Sequence, residues 1–152
     1  MLDLDDVKLD IDKLDNGVWW TIRMEDRQLV GEAVDKPDAD APAVLLVPLG
    51  TGYERQLEVE REPHIERLRR RDISDIEQDQ LLSTTAGRAV AKKVIRGWQN
   101  LSFGGEVVPW SEDAAAKLLA KREWRNVLDF CLFHAAKRQT ALAQQEAEAA
   151  GN

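Results

Sequence analysis

The stretch SDIEQDQLLSTTAGRAVAKKVIRGW at residues 74–98 decides the fold of this chain. Ser74 and Glu77 have the spacing of a capping box, in which the hydroxyl accepts a first-turn amide and the glutamate reaches back to the cap. The apolar positions that follow recur every fourth residue: Leu82, Ala86, Val90, Val94 and Trp98. This spacing predicts a long amphipathic helix that continues to Trp98.

The residues after this stretch predict a loop and two further helices. Gly97 and the pair Gly104-Gly105 bracket the loop. Ser111 with acidic residues behind it is a helix N-terminal signature, and it predicts a short helix. An apolar pattern at helical spacing from Trp124 to Ala135 then predicts a last amphipathic helix.

The residues before the stretch predict one interrupted helix. Thr51-Gly52-Tyr53-Glu54 has the capping-box spacing, so we expect a helix to begin there. It should bend or end before Pro63, which lacks the amide hydrogen that a helix interior needs. The pattern resumes at Ile65 and ends in the arginines 69–71, whose charge suits a helix C-terminus.

The first fifty residues favour strands. In VWWTIRM at 18–24, alternation places Val18, Trp20 and Ile22 on one face. Asn16-Gly17 in front of it is a hairpin signal, and the preceding residues 2–14 alternate apolar and charged side chains.

Two more strands are expected before the first helix. Residues 28–34 read as a third strand, and residues 36–42 read as a loop because they are rich in Pro and Asp. Residues 43–50 read as a further strand, at an edge or ending near Pro48.

These patterns predict an α+β fold that is mainly α, with a small N-terminal antiparallel β meander followed by a bundle of four to five helices. We divide the chain into an acidic strand-rich segment at 1–50, a helical domain at 51–137 and a polar Ala/Gln/Glu tail at 138–152. The tail either frays or extends the last helix.

Charge and length exclude several classes of protein. The 152 residues carry a net charge of -7, and residues 1–40, with 12 acids and 5 bases, account for the whole imbalance. This balance argues against nucleic acid as the main partner, which needs surplus Lys and Arg on some face. The apolar runs are too short to cross a bilayer and no signal peptide is visible, so we expect a soluble intracellular protein without a membrane partner.

The residues that usually carry chemistry do not cluster in the sequence. His64 and His134 have no metal-ligand spacing, and we expect a surface and a partly buried packing residue respectively. Cys131 lies in an apolar stripe and is expected to be a buried small hydrophobe. The GTG at 50–52 lacks a P-loop lysine, and RLRRR at 67–71 follows several glutamates. We therefore expect no catalytic residue, no cofactor and no metal, and a chain that is not an enzyme.

One corner of the sequence invites a functional interpretation. Trp98 and Trp110 frame the Gly104-Gly105 loop, with Leu101 and Pro109 inside it and Trp124 a short helix away. Buried, these rings join two helices and stabilise the fold; exposed, they form an interaction surface, since Trp is enriched at interface hot spots. Both interpretations stay open, with the structural one favoured.

The same corner resembles a known family. The order A-x-x-V-I-x-G-W-x-N-L at 91–101, V-P-W-S at 108–111 and W-x-x-V-x-x-F at 124–130 resembles the tail assembly chaperones of long-tailed bacteriophages, and G-x-x-Y-E-R-x-L at 50–57 resembles their first helices. The resemblance covers roughly residues 45–135 and includes no catalytic signature.

The resemblance implies a non-enzymatic protein that acts in the host bacterial cytoplasm during virion morphogenesis. Such a chaperone binds the tape measure protein, with tail tube subunits as a further candidate partner, and keeps it soluble while the tail is built. The alternative is a minor structural virion protein, such as a head-tail or tail-completion component. The resemblance leaves open the oligomeric state, a longer frameshifted product and the role of the acidic N-terminal segment.

Overall fold

A computed structural model describes residues 16–70 and 73–150, with side chains described as far as Lys137. The strand expected in residues 2–14, which would pair across the Asn16-Gly17 turn, lies outside the described residues. Within them the predicted class is confirmed, because antiparallel strands precede a mainly helical remainder. The fold is α+β and mainly α.

A four-stranded antiparallel sheet organises the fold, in the order β4-β1-β5-β6. As the alternation predicts, Trp20 and Ile22 are buried and Val18 packs against them. The predicted loop at 36–42 separates β4 from β5, and β5 ends before Pro48. The strands of this sheet are Val18–Thr21 (β1), Ala33–Val34 (β4), Ala43–Leu46 (β5) and Ile95–Gln99 (β6).

Two small hairpins accompany the sheet. The first joins Arg23–Glu25 (β2) to Gln28–Val30 (β3), and the second joins Ser102–Phe103 (β7) to Glu106–Val107 (β8). The second hairpin turns at Gly104 and Gly105, whose φ angles of 62° and 85° favour glycine. The loop expected between Trp98 and Trp110 is therefore a tight hairpin.

The helices follow the predicted order. Proline at the start of a 3-10 turn, Glu62–His64, separates the first two helices, as the sequence predicts. The last helix begins one residue after Trp124, which ends a second 3-10 turn, Arg122–Trp124, and the helix continues through the polar tail. The helices are Thr51–Arg61 (α1), Ile65–Arg69 (α2), Asp75–Lys93 (α3), Glu112–Leu119 (α4) and Arg125–Ala150 (α5).

The long helix is shorter than the sequence pattern predicts. It ends at Lys93, and Ile95–Gln99 forms strand β6, so the prediction of a helix through Trp98 and a loop at Gly97 is wrong. The reason is tertiary: β5 is buried and offers an edge that β6 completes, pairing Val44 with Trp98. A spacing of four is also a multiple of two, so Val94 and Trp98 suit a strand as well.

Two of the three predicted caps are confirmed. Ser74 accepts a hydrogen bond from the Glu77 amide at 3.2 Å, and Ser111 accepts one from the Ala114 amide at 3.0 Å. The first cap is wrong, because Thr51 is already helical and Gly50 occupies the cap position without a side-chain hydrogen bond. A glycine cap is only slightly less favourable than a serine or threonine cap, so the helix still begins there.

One core joins the sheet to the helices. It contains Trp20 and Leu46 of the sheet, Val90 of α3, Leu119 of α4 and Cys131 of α5. Gly87 permits a close approach of α3 and α4, because a Cβ there would lie 2.4 Å from the Leu119 carbonyl oxygen. Strands from both sides of residue 50 thus share one sheet and one core; the boundaries at 50 and 137 remain predictions.

Candidate functional site

Trp98 is the centre of the predicted corner. Strand β6 carries it into the core, where it is 5% exposed. Its indole Nε1 donates a hydrogen bond of 2.7 Å to the Val108 carbonyl oxygen, and the Val108 amide donates one of 2.9 Å to the Leu101 carbonyl oxygen. These bonds tie the second hairpin to the sheet and satisfy the buried indole.

The structure brings the three predicted tryptophans together. Trp110 meets the Trp98 ring edge to face with centroids 5.1 Å apart, and the centroid of Trp124 lies 6.0 Å from that of Trp98. Trp124 is buried, Trp110 is half-buried and Leu101 packs against the core. Pro109 is exposed. The corner is therefore mostly a structural cluster, with limited surface of its own.

An apolar groove adjoins this corner and shares Leu101 and Trp124 with it, but the sequence pattern did not indicate its other residues. Met24 of the first hairpin and Phe103 of the second both line it, and they are 62% and 36% exposed. The buried ring of Trp124 packs against the Phe103 ring, with centroids 5.6 Å apart. The apolar residues that line the groove are Ile22, Met24, Leu29, Pro42, Leu101, Phe103, Trp124 and Val127.

Charges of both signs border the groove. Lys121 places its ammonium 5.1 Å from the Phe103 ring centroid, a cation–π contact. Arg23 pairs with Glu25 on the first hairpin at 3.2 Å, and Glu123 lies at the groove wall. A groove of this kind suits a segment with one apolar face and mixed charges.

The titratable residues singled out in the sequence lie elsewhere. Cys131 is fully buried, and burial raises the pKa of its thiol to about 12, so it is a weak nucleophile. His134 is buried against Trp20 and Phe130, with centroids 4.4 and 4.3 Å away, and burial followed by the charge of Lys137 lowers its pKa. Both are packing residues, as predicted.

The remaining sequence candidates are also structural. His64 is half-buried in the 3-10 turn before α2, more enclosed than the predicted surface residue, and Gly50 and Gly52 lie at the start of α1. Arg67 of the arginine run pairs with Glu77 at 3.6 Å. Among the side chains described, those of residues 16–70 and 73–137, no three of His, Cys, Asp or Glu are grouped so as to hold a metal ion.

The comparisons with known proteins bear on this same part of the chain. A family model described as YdaY prophage protein matches residues 50–152. The chain belongs to this family. It is therefore phage-derived, and all five predicted corner residues fall within the matched region, whereas Met24 lies before it. No curated protein and no solved structure matches the chain.

None of the helices in the described part of this YdaY-family chain combines the length and apolar character of a membrane span.

Proposed function

We propose that this chain is a non-enzymatic phage tail assembly chaperone that binds the tape measure protein during tail morphogenesis. The observation that carries the proposal is the apolar groove lined by both hairpins, with Met24 and Phe103 exposed in its lining. Contiguous exposed apolar surface marks interaction sites. Membership of a prophage protein family supports a role in a phage process.

The groove has the properties that chaperone binding requires. Met24 is a flexible, polarizable side chain of the type that lines promiscuous protein-binding surfaces. Phe103 contacts both Trp124 and Lys121, and these contacts restrict its ring, so it offers a fixed aromatic surface. An amphipathic helix of the tape measure protein would place its apolar face in such a groove.

The tryptophan corner stabilises the second hairpin, and the groove supplies the exposed apolar surface. Trp98, Trp110 and Trp124 hold the second hairpin against the core, and this hairpin presents Phe103 to solvent. Of the corner residues for which the sequence leaves a partner-binding role open, Leu101 and Trp124 line the groove themselves, and Trp98 and Trp110 support it. The net charge of -7 would add solubility to a complex with an aggregation-prone partner.

Co-expression with the tape measure protein of the same prophage tests the proposal. We expect the wild-type chain to move that protein into the soluble fraction and to co-purify with it. Phe103→Ser should reduce both effects, because it removes the fixed aromatic surface. Val107→Ser is the matched control: Val107 is 71% exposed on the same hairpin but does not line the groove. No complex, or equal loss with both variants, would reject the proposal.

Mass spectrometry of purified particles separates the chaperone from the alternative, a minor structural virion protein. A chaperone should be absent from mature tails, whereas a head-tail or tail-completion component should be present in stoichiometric amounts. The same co-expression experiment with tail tube subunits shows whether they are a second partner.

A further inference from the structure

A second apolar groove lies between α1 and α2, and it shares no residue with the groove lined by the two hairpins. Leu57 of α1 and Ile65 and Leu68 of α2 line it, and all three are only half-buried. Neither helix contributes a fully buried residue. These helices therefore keep an apolar face that the described part of the chain does not cover.

The α2 end of this groove is basic. Arg69 lines it and Arg70 follows directly, and both are exposed, whereas Glu54 and Glu58 line the α1 side of the groove. Arg61, also at the groove, donates from Nε to the Thr85 hydroxyl at 3.4 Å, so part of its hydrogen-bonding capacity is used. Among the side chains that the structure describes, in residues 16–70 and 73–137, no carboxylate lies within ion-pair distance of Arg69 or Arg70. An occupant with apolar side chains and carboxylates would complement this end.

Residues 1–15 of the same chain have this chemistry. They contain six Asp and two Lys, and their apolar side chains alternate with the charges over much of the segment. The apolar residues are Met1, Leu2, Leu4, Val7, Leu9, Ile11 and Leu14. A segment of this pattern can lay one apolar face on a groove while its carboxylates reach the basic rim.

The topology allows this segment to reach the groove. Val18, at the start of β1, pairs with Leu46, and α1 begins five residues later at Thr51. Fifteen extended residues span about 50 Å, several times the length of α1. At Trp19 and Trp20 both edges of β1 are taken, by β4 and β5, so the sheet offers no free edge there.

We infer that residues 1–15 bind in the groove between α1 and α2 of their own chain. Their apolar side chains cover Leu57, Ile65 and Leu68, and their aspartates face Arg69 and Arg70. This binding gives the acidic segment a role that does not depend on the proposed chaperone function.

Paramagnetic broadening in the full-length chain tests the inference. A nitroxide is attached to a cysteine introduced by Lys8→Cys; the native Cys131 stays unlabelled because it is fully buried and its thiol pKa is raised to about 12. We expect selective loss of amide signal intensity in α1 and α2, with unchanged intensity at Gly104 and Gly105. High salt should weaken the loss, since the Debye length shrinks from about 10 Å at 0.1 M to about 3 Å at 1 M.

Two charge-reversal variants of the labelled chain test the contact itself. Arg69→Glu should restore much of the lost intensity, because Arg69 lines the groove. Arg55→Glu changes the net charge equally on an exposed position of α1 that does not line the groove, and should leave the loss unchanged. Full intensity in α1 and α2 of the labelled wild-type chain would overturn the inference without any variant. Broadening that grows with protein concentration would also overturn it and would assign the groove to a second copy.

Discussion

Trp98 on β6 and Trp20 on β1 are buried to a similar extent, but only the indole of Trp98 is hydrogen-bonded within the described residues. Trp98 is 5% exposed and its Nε1 donates to the Val108 carbonyl oxygen at 2.7 Å. Trp20 is 7% exposed, and its Nε1 has no hydrogen-bond partner in the part of the chain that the structure describes. The ring beside it, His134, also has a buried and unpartnered Nδ1.

The hydrogen bond of the Trp98 indole stabilises the folded chain, whereas burial of the unpaired Trp20 Nε1 destabilises it. A buried donor without a partner costs about 1–3 kcal/mol, whereas a satisfied one contributes to stability. Trp98 lies within the YdaY family match and Trp20 lies before it. The satisfied cluster should thus be the more sensitive to substitution.

The largest effect is expected for Trp98→Ala. It removes the central ring of the corner and leaves the Val108 carbonyl oxygen without its donor, so the free energy of unfolding should fall by about 3–5 kcal/mol. Urea denaturation followed by circular dichroism measures this change. Wild-type stability combined with lost partner binding would instead mark Trp98 as a surface anchor.

A matched pair of substitutions sharpens the comparison. Trp98→Phe deletes a satisfied donor and should destabilise the chain by about 1–3 kcal/mol more than Trp20→Phe, which deletes a donor that has no partner. Both substitutions remove the same volume, so the difference between their urea midpoints isolates the hydrogen bond. Equal losses would show that packing alone sets the stability at both sites.

The fold class and the order of the helices could be predicted because local signals agreed with the tertiary structure, whereas the predicted strands at 18–24 and 28–34 each divide into two shorter strands. Ser74 and Ser111 cap helices as predicted, and Trp20 and Ile22 share a buried face. Strand β6 could not be predicted, because nothing local to residues 95–99 shows that β5 offers an edge to it. There the tertiary pairing overrides a pattern compatible with both structures.

The candidate site could be predicted only in its buried part. Aromatic and turn residues in the sequence pointed to Trp98, Trp110 and Trp124 because such residues form cores and corners. Met24 and Phe103 meet at the groove through two hairpins that are distant in sequence. A Phe directly before Gly104-Gly105 was the available signal, since an aromatic residue at a tight turn has little chance of burial.

The smallest expected effect is a pH dependence of the free energy of unfolding that arises from His134, the ring packed against Trp20. Burial, followed by the nearby Lys137, lowers the pKa of His134 in the folded chain, while the unfolded chain has the ordinary value of about 6.5. Between these values the unfolded chain binds more protons, so the free energy of unfolding should be constant above about pH 7 and fall as the pH drops through the folded pKa. Glu60, whose pKa is lowered chiefly by its hydrogen bond with Lys92, contributes only at more acidic pH.

Urea denaturation at a series of pH values measures this dependence, and a matched pair of histidine variants assigns it. His134→Phe should abolish the loss of stability below neutral pH, because it keeps an aromatic ring against Trp20 and removes the titrating group. His64→Gln should retain the loss, since His64 lies in the 3-10 turn before α2, away from that cluster. Equal pH profiles for the wild type and His134→Phe would show that the titration of His134 does not set the acid stability of the chain.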